Sequence, residues 1–163
     1  MSLPREISLT ETEIDQIMIE QWNLRIATLG PGSRINLTPM WFGWAGGKIF
    51  ISARGQKVVN LRRHPDCTIL IDRNEKFPEL QGIMMESRAC VLEDKRMEDD
   101  EPDLEEAREQ MGIKYNGGHG QPVSDNPKPM GATAGGKNRR WLVITPHKVI
   151  SWDNHKLGAL GKS

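Results

Sequence analysis

Thr38-Pro-Met-Trp-Phe-Gly-Trp-Ala-Gly-Gly-Lys-Ile-Phe-Ile-Ser-Ala-Arg-Gly-Gln-Lys-Val-Val-Asn-Leu-Arg-Arg-His-Pro-Asp-Cys-Thr-Ile-Leu-Ile-Asp72 decides the architecture of this chain. It reads as a strand, a Gly46-Gly47 turn, a strand, a basic turn, a short helix, a break at Pro65 and a buried-type strand. The basic turn sets Ser52, Arg54, Gln56 and Lys57 where a strand ends and a helix begins. Backbone N–H groups are unpaired at a helix N-terminus, and the helix dipole favours an anion there. Arg54 adds a bidentate fork and Lys57 a point charge, so the turn is expected to hold a phosphate. The plainer reading is two solvated surface charges; the strand-to-helix position favours the anion.

Outward from this stretch the pattern stays rich in strands. Thr10-Glu-Thr-Glu13 is a capping box, and Ile14, Ile17 and Met18 follow at helical spacing, so a first helix is expected to about Gln21. Leu24–Leu29 alternates as a strand, and Gly30–Ser33 is turn chemistry. Arg34–Trp44 reads as one strand, with Pro39 marking an edge or a bulge. Lys48–Ala53, Cys67–Asp72 and Gly82–Leu92 read as strands, and the residues from Val58 to Arg62 as a short helix. Asp103-Leu-Glu-Glu106 reads as a second capping box that opens a helix to about Met111. Asp99-Asp-Glu-Pro-Asp103 is most simply a solvated acidic cluster.

Segment 112–137, rich in Gly, Pro, Asn and Ser, reads as a long loop. Connections of that length inside a compact domain are either disordered or functional. Arg139–Thr145 and Lys148–Trp152 read as two strands joined at Pro146-His147, and 158–163 as a frayed tail. The sum is one mainly β domain over residues 1–163, a small β-barrel with peripheral helices.

Composition narrows the partners. The 22 basic and 22 acidic side chains balance, whereas a phosphate-backbone binder shows a basic excess, so no nucleic acid is expected. No apolar run approaches the roughly 20 residues of a membrane span. Met1–Glu6 lacks the apolar core of a signal peptide. Cys67 and Cys90 lie in apolar strand-like runs, which predicts buried thiols rather than a disulfide and fits a cytoplasmic location. The hydrophobic fraction, 37%, is low for a barrel and suggests a core completed by dimerisation.

Three further features invite chemistry. Gly131-Ala-Thr-Ala-Gly-Gly-Lys137 fits a phosphate-loop pattern, but Asn138 stands where a magnesium-binding Ser or Thr is needed, so that reading is rejected. His64, His119, His147 and His155 show no metal-ligand spacing, and the solvated reading of His119 in its glycine-rich loop is preferred. Trp22 reads as a core or interface aromatic. Trp41 and Trp44 lie on the strand facing the basic turn, where an aromatic could stack on a planar ring. No carboxylate pair or nucleophile motif identifies a catalytic residue.

Leu37–Phe42, Gly47–Ser52, Lys57–Pro65 and Ile150–Leu157, in that order and spacing, resemble the split β-barrel family of flavin and deazaflavin proteins, which includes pyridoxamine-phosphate-oxidase-like members. The Ser151-Trp-Asp153 and Lys156-Leu157 pieces are similar to the branch that uses the deazaflavin coenzyme F420. The resemblance implies a split β-barrel and a homodimer with the cofactor between subunits. It implies cofactor contacts from Thr38, Pro39, Met40 and Trp41 against the ring. It further implies contacts from Ser52, Ala53, Arg54, Gln56, Lys57 and Asn60 around the phosphate. A partner's Trp141 or Trp152 region is expected to close the site. The implied activity is hydride transfer from F420 to an electrophilic small molecule such as a conjugated ketone. The alternatives are an FMN-dependent oxidase-like enzyme and a non-catalytic carrier of flavin, deazaflavin or haem.

Overall fold

The computed structural model describes residues 5–131 and 138–160. Seven strands form one antiparallel sheet: β1 (Leu24–Leu29), β2 (Ile35–Met40), β3 (Gly43–Ala45), β4 (Lys48–Ala53), β5 (Asp66–Arg73), β6 (Gln81–Leu92) and β7 (Arg140–Asp153). Five helices flank it: α1 (Glu11–Glu20), α2 (Gln56–Arg63), α3 (Lys95–Asp100), α4 (Leu104–Lys114) and the short α5 (Leu157–Leu160). The spatial order is β2-β1-β5-β6-β7-β4-β3.

That order makes the sheet curl. β2 and β3 are its two outer strands, yet only Trp41 and Phe42 separate them in the chain. Two linking residues reach no more than about 10 Å, so the two edges are drawn together. The result is a barrel with a split between β2 and β3. The single strand expected over Arg34–Trp44 is therefore two strands on opposite sides of that split. Phe42, fully buried, enters the core and takes the backbone out of the β2 pairing. Pro39 does sit on an edge strand, where its missing N–H costs no ladder bond.

Other local signals act as expected. Thr10 Oγ1 accepts from the Glu13 N–H (3.3 Å), and the Glu13 carboxylate accepts from the Thr10 N–H (2.7 Å), completing the capping box of α1. Gly46 and Gly47 take φ of +57° and +70°, the mirror-image turn that joins β3 to β4. α2 stops before Pro65.

Five expectations are corrected. The two strands drawn over Arg139–Thr145 and Lys148–Trp152 are one, β7. Its register against β6 pairs Ser87 with Pro146 and Glu86 with Lys148, so His147 is the extra residue of a bulge that absorbs the proline. The second capping box does not form: Asp103 makes no cap bond and instead pairs with Lys48 (2.8 Å), which also holds Glu101. Asp94, with its carboxylate accepting from the Met97 N–H (2.9 Å), caps the unforeseen α3. Cys90 faces outward and is exposed; Cys67 is buried, and both are free thiols. The loop drawn at 112–137 starts later, because α4 runs to Lys114, and the first residues of the 158–163 tail belong to α5. Most of the rejected phosphate-loop pattern lies outside the described residues, as do 161–163.

The main core fills the barrel with residues such as Ile26, Phe42, Ile49, Ile69, Ile83 and Leu142. A second cluster packs α4 on the outside of β4 and β7 through Phe50, Leu104, Met111, Tyr115 and Trp141. The motif Ile150–Leu157 is spent on closing the fold. Ser151 Oγ accepts from the Leu9 N–H (3.0 Å), and Asp153 accepts from Gln81 (2.9 Å) and from the His155 N–H (3.0 Å). Lys156 donates to the Ser8 carbonyl (3.0 Å) and to Glu13 (2.7 Å). This ties the N-terminal segment to the end of β7.

Candidate cofactor-binding site

The crossover at the split builds the site. Tyr115, at the end of α4, accepts the Phe42 N–H at its hydroxyl (2.9 Å) and donates to the Trp22 carbonyl (2.8 Å). The Lys114 ammonium donates to the carbonyls of Met18 (3.0 Å), Gln21 (3.1 Å) and Phe42 (3.3 Å) and lies 4.0 Å from the Phe42 ring centre. Burial pushes this ammonium down to about 8, while its carbonyl acceptors and the ring face favour the charged form, so it stays charged at neutral pH. Burial pushes the Tyr115 hydroxyl up, against the Phe42 backbone bond, and keeps it a donor.

These anchors fix Trp41. Its ring stacks flat on Tyr115, with centres 4.1 Å apart and planes at 1°. Trp22 stands edge-on to both, at 5.9 Å and 5.5 Å. His119 meets Trp41 edge-on at 4.6 Å. Trp41 thus presents a rigid wall held by Trp22 and by Tyr115 and His119, the last two more than 70 positions away in the chain.

A cavity of about 300 Å³ opens against this wall. Pro39, Met40 and Trp41 form one side, and Ser52 and Arg139 another. Asn23, Met111, His119, Met130 and Gly131 complete it. The site residues read from the two ends of the key stretch, Pro39–Trp41 and Ser52, therefore share one cavity. β4 and β7 bring Arg139 beside Ser52: its guanidinium donates to the Ser52 carbonyl (2.7 Å).

Other polar side-chain atoms here lack partners among the described residues. Ser52 is 8% exposed, and its buried hydroxyl makes no hydrogen bond among the described residues. The same holds for Thr38 Oγ1 and Arg139 Nε. Buried polar groups are almost always paired, so the Ser52 and Arg139 orphans that line this cavity fit a group that brings its own hydrogen-bond partners. The Lys57 ammonium is held below its ordinary value by burial first, then by Arg139 and Arg54. No carboxylate is among those influences, so the three cations form one positive cluster. Its charge and the open N–H groups of Gln56 and Lys57 at the start of α2 suit a phosphate.

The remaining expected residues divide. Arg54 and Gln56 are exposed on the turn, with Gly55 at φ +78° between them. Ala53 is buried, and its side chain belongs to the core. Asn60 is 2% exposed and committed inside the chain: it accepts from Gln56 (2.8 Å) and donates to Thr28 (3.0 Å). Trp44 turns the other way, donating to Asp15 (2.8 Å). Trp141 is fully buried within its own chain and is not free to close a neighbouring site; Trp152 lies over Gly82.

Sequence reasoning missed Arg139, Asn23, Met111, His119 and Met130. Arg139 had a signal, a cation just before a strand, but the pairing of that strand with β4 is not visible in the sequence; His119 was noticed in its glycine-rich loop, and its solvated reading is corrected by its place against Trp41.

Comparison with known proteins agrees with the geometry. No curated protein matches the chain. A conserved hypothetical protein of Mycobacterium tuberculosis is similar in structure, with 28% identity and a TM-score of 0.78, covering 97% of this chain and 93% of that one. A haem storage protein of Vibrio cholerae shares the fold at 16% identity and a TM-score of 0.63, covering 86% and 94%. A structure described as an F420 reductase does so at 14% identity and 0.55, covering 83% and 94%. The model of the pyridoxamine 5'-phosphate oxidase family matches residues 10–153. With the split barrel and the phosphate-suited corner beside it, that match shows that the chain belongs to the pyridoxamine 5'-phosphate oxidase family.

Proposed function

We propose that this protein is an oxidoreductase that binds a deazaflavin of the F420 type in the Trp41–Ser52 cavity and reduces a small electrophilic organic molecule. The observation that carries the reading is the corner where Ser52 and Arg139 atoms, unpaired among the described residues, meet the Arg54–Lys57 turn. Arg54, Lys57 and the α2 N–H groups would hold the cofactor phosphate. Thr38–Trp41 would supply backbone and a flat ring against its tricyclic face, and Met111 and Met130 would keep water away.

When bound, such a cofactor supplies a hydride. The chain supplies position and a dry, polar-lined cavity. Support for the deazaflavin over FMN comes from the motif likeness of Ile150–Leu157. A deazaflavin carries an anionic tail beyond its phosphate; Arg62 grips Glu93 with two bonds (2.6 and 2.7 Å) and is not free for it, whereas Arg63 is exposed. FMN is the second reading, favoured by the family itself.

Calorimetry with oxidised F420 and with FMN, at low and high salt, tests both. Lys57→Ala and Arg54→Ala should each weaken the better ligand by about 1.5–3 kcal/mol, the scale of a charge-assisted hydrogen bond. F420 binding should also weaken with salt. Tighter FMN binding with turnover on FMN alone would move the assignment to the second reading. Unchanged affinity in both variants would remove the site.

A further inference from the structure

A second cavity, of about 390 Å³, lies beneath loop 115–131 and shares His119, Met130 and Gly131 with the first. Among the described residues, His119 is the one titratable side chain lining both. The loop has a built structure. Asn116 donates to the Ser124 carbonyl (2.6 Å), and the Ser124 N–H donates back to Asn116 Oδ1 (3.0 Å). At its far end the Met130 N–H donates to the Arg108 carbonyl (2.8 Å), and the Met130 carbonyl accepts from Arg108 Nε (2.8 Å).

Glycines then aim the histidine. Gly117 and Gly120 bracket it at φ +80° and +73°. A Cβ on Gly118 would lie 3.1 Å from Trp41 and 3.2 Å from Trp22, so any larger residue would have to push these rings aside by a few tenths of an ångström. The imidazole is thereby set at the junction of the two cavities. Beneath the loop, the lining is Tyr115, prolines and neutral amides, with Lys128 the one charged side chain among the described residues.

We propose that the cavity beneath loop 115–131 receives the hydride acceptor, and that His119 donates a hydrogen bond to its carbonyl oxygen. The inference rests on the reading above, in which the first cavity takes the cofactor ring. The acceptor class is a planar conjugated carbonyl compound with an apolar body, fitted to the proline and tyrosine walls. A donor at that oxygen gains strength as negative charge develops there during reduction. As the hydride bonds to the β carbon, the carbon–carbon π pair shifts to leave an enolate. The proton that neutralises it comes from the imidazole, which is reprotonated from solvent.

Coumarin and naphthalene, similar in shape but differing in the carbonyl, are the probes. Equilibrium dialysis measures affinity, and NMR of the histidine side chains locates binding, both with and without cofactor. Coumarin should bind more tightly than naphthalene and move the His119 imidazole signal. His119→Leu should lose about five- to tenfold in coumarin affinity, the worth of one hydrogen bond, with naphthalene unchanged. His119→Gln, which keeps a donor, should retain most of it. Full coumarin affinity in His119→Leu, or an unmoved His119 signal in the wild type, overturns the inference. Loss of flavin and deazaflavin binding by the wild type strikes the proposed function instead, and coumarin seated at His119 distinguishes the two failures.

Discussion

Two adjacent residues, Lys114 and Tyr115, carry more of the site than any residue that lines the first cavity. They reach the α1 terminus, the segment before β1 and the β2–β3 crossover together. Lys114→Met keeps the length of the side chain but strands buried carbonyls. It should cost about 2–3 kcal/mol of stability in urea unfolding, with Trp41 fluorescence altered. Tyr115→Phe keeps the stack on Trp41 and loses both hydroxyl bonds. It should cost about 1–3 kcal/mol and leave the aromatic wall in place.

The same lysine predicts a pH signature. Its folded value, about 8, lies below the ordinary 10.5, so the unfolded chain binds more protons between the two, and its contribution to stability rises with pH there. Cys67 opposes it. Burial first, then Asp66, pushes that thiol from 9.0 up to about 12, so its contribution is full below about 9 and is lost as pH climbs toward 12. Comparing wild type with Lys114→Met isolates the lysine. Wild type should gain up to about 1 kcal/mol on the variant between pH 8 and 9, read from urea midpoints. A flat difference would mean that the lysine titrates normally.

At the scale of elements, the tightest contact joins β6 to β7. A Cβ on Gly82 would stand 2.0 Å from the Trp152 ring. Gly82→Ala should therefore destabilise by about 1–3 kcal/mol through overpacking, and the double variant with Trp152→Ala should recover part of that loss. Additive losses, measured by thermal unfolding, would show that the strand bends away instead. The acidic run before α4 has an element-level role as well. Glu101 and Asp103 clasp Lys48, so the β3–β4 hairpin and the α3–α4 link are held by one lysine.

At the scale of the whole molecule, the edge strand β2 carries exposed apolar side chains among the described residues. β2 shows Ile35 at 75% and Leu37 at 63% exposure, and Leu29 and Val149 add exposed apolar surface. A strand with large aliphatic side chains in solvent invites a partner, and we propose that a second copy of the chain covers it. Sedimentation at micromolar concentration should give twice the chain mass, and Ile35→Asp with Leu37→Asp should give a monomer. A wild-type monomer that binds cofactor at full affinity would defeat both the dimer and a site shared between chains. Among the described residues, no helix is long and apolar enough to cross a membrane.

Sequence alone determined whatever depends on neighbours a few residues apart. The Thr10–Glu13 capping box, the Gly46-Gly47 turn, strands β1 and β4 and the stop of α2 before Pro65 are local events, governed by backbone sterics, capping bonds and side-chain alternation. Trp41 and Ser52 were legible as candidates from their place beside the basic turn, whereas Pro39 and Met40 came only with the family resemblance. Tertiary structure decided the rest. Whether Arg34–Trp44 is one strand or two depends on where the sheet edges meet, and β7 stays continuous past Pro146 because a bulge at His147 absorbs the proline against β6. Asp103 abandons its cap for Lys48, 55 positions away, because an ion pair with a half-buried lysine outweighs a local bond. Arg139 reaches Ser52 across 87 positions and His119 reaches Trp41 by a glycine path; such meetings follow from long-range packing, which no local pattern encodes.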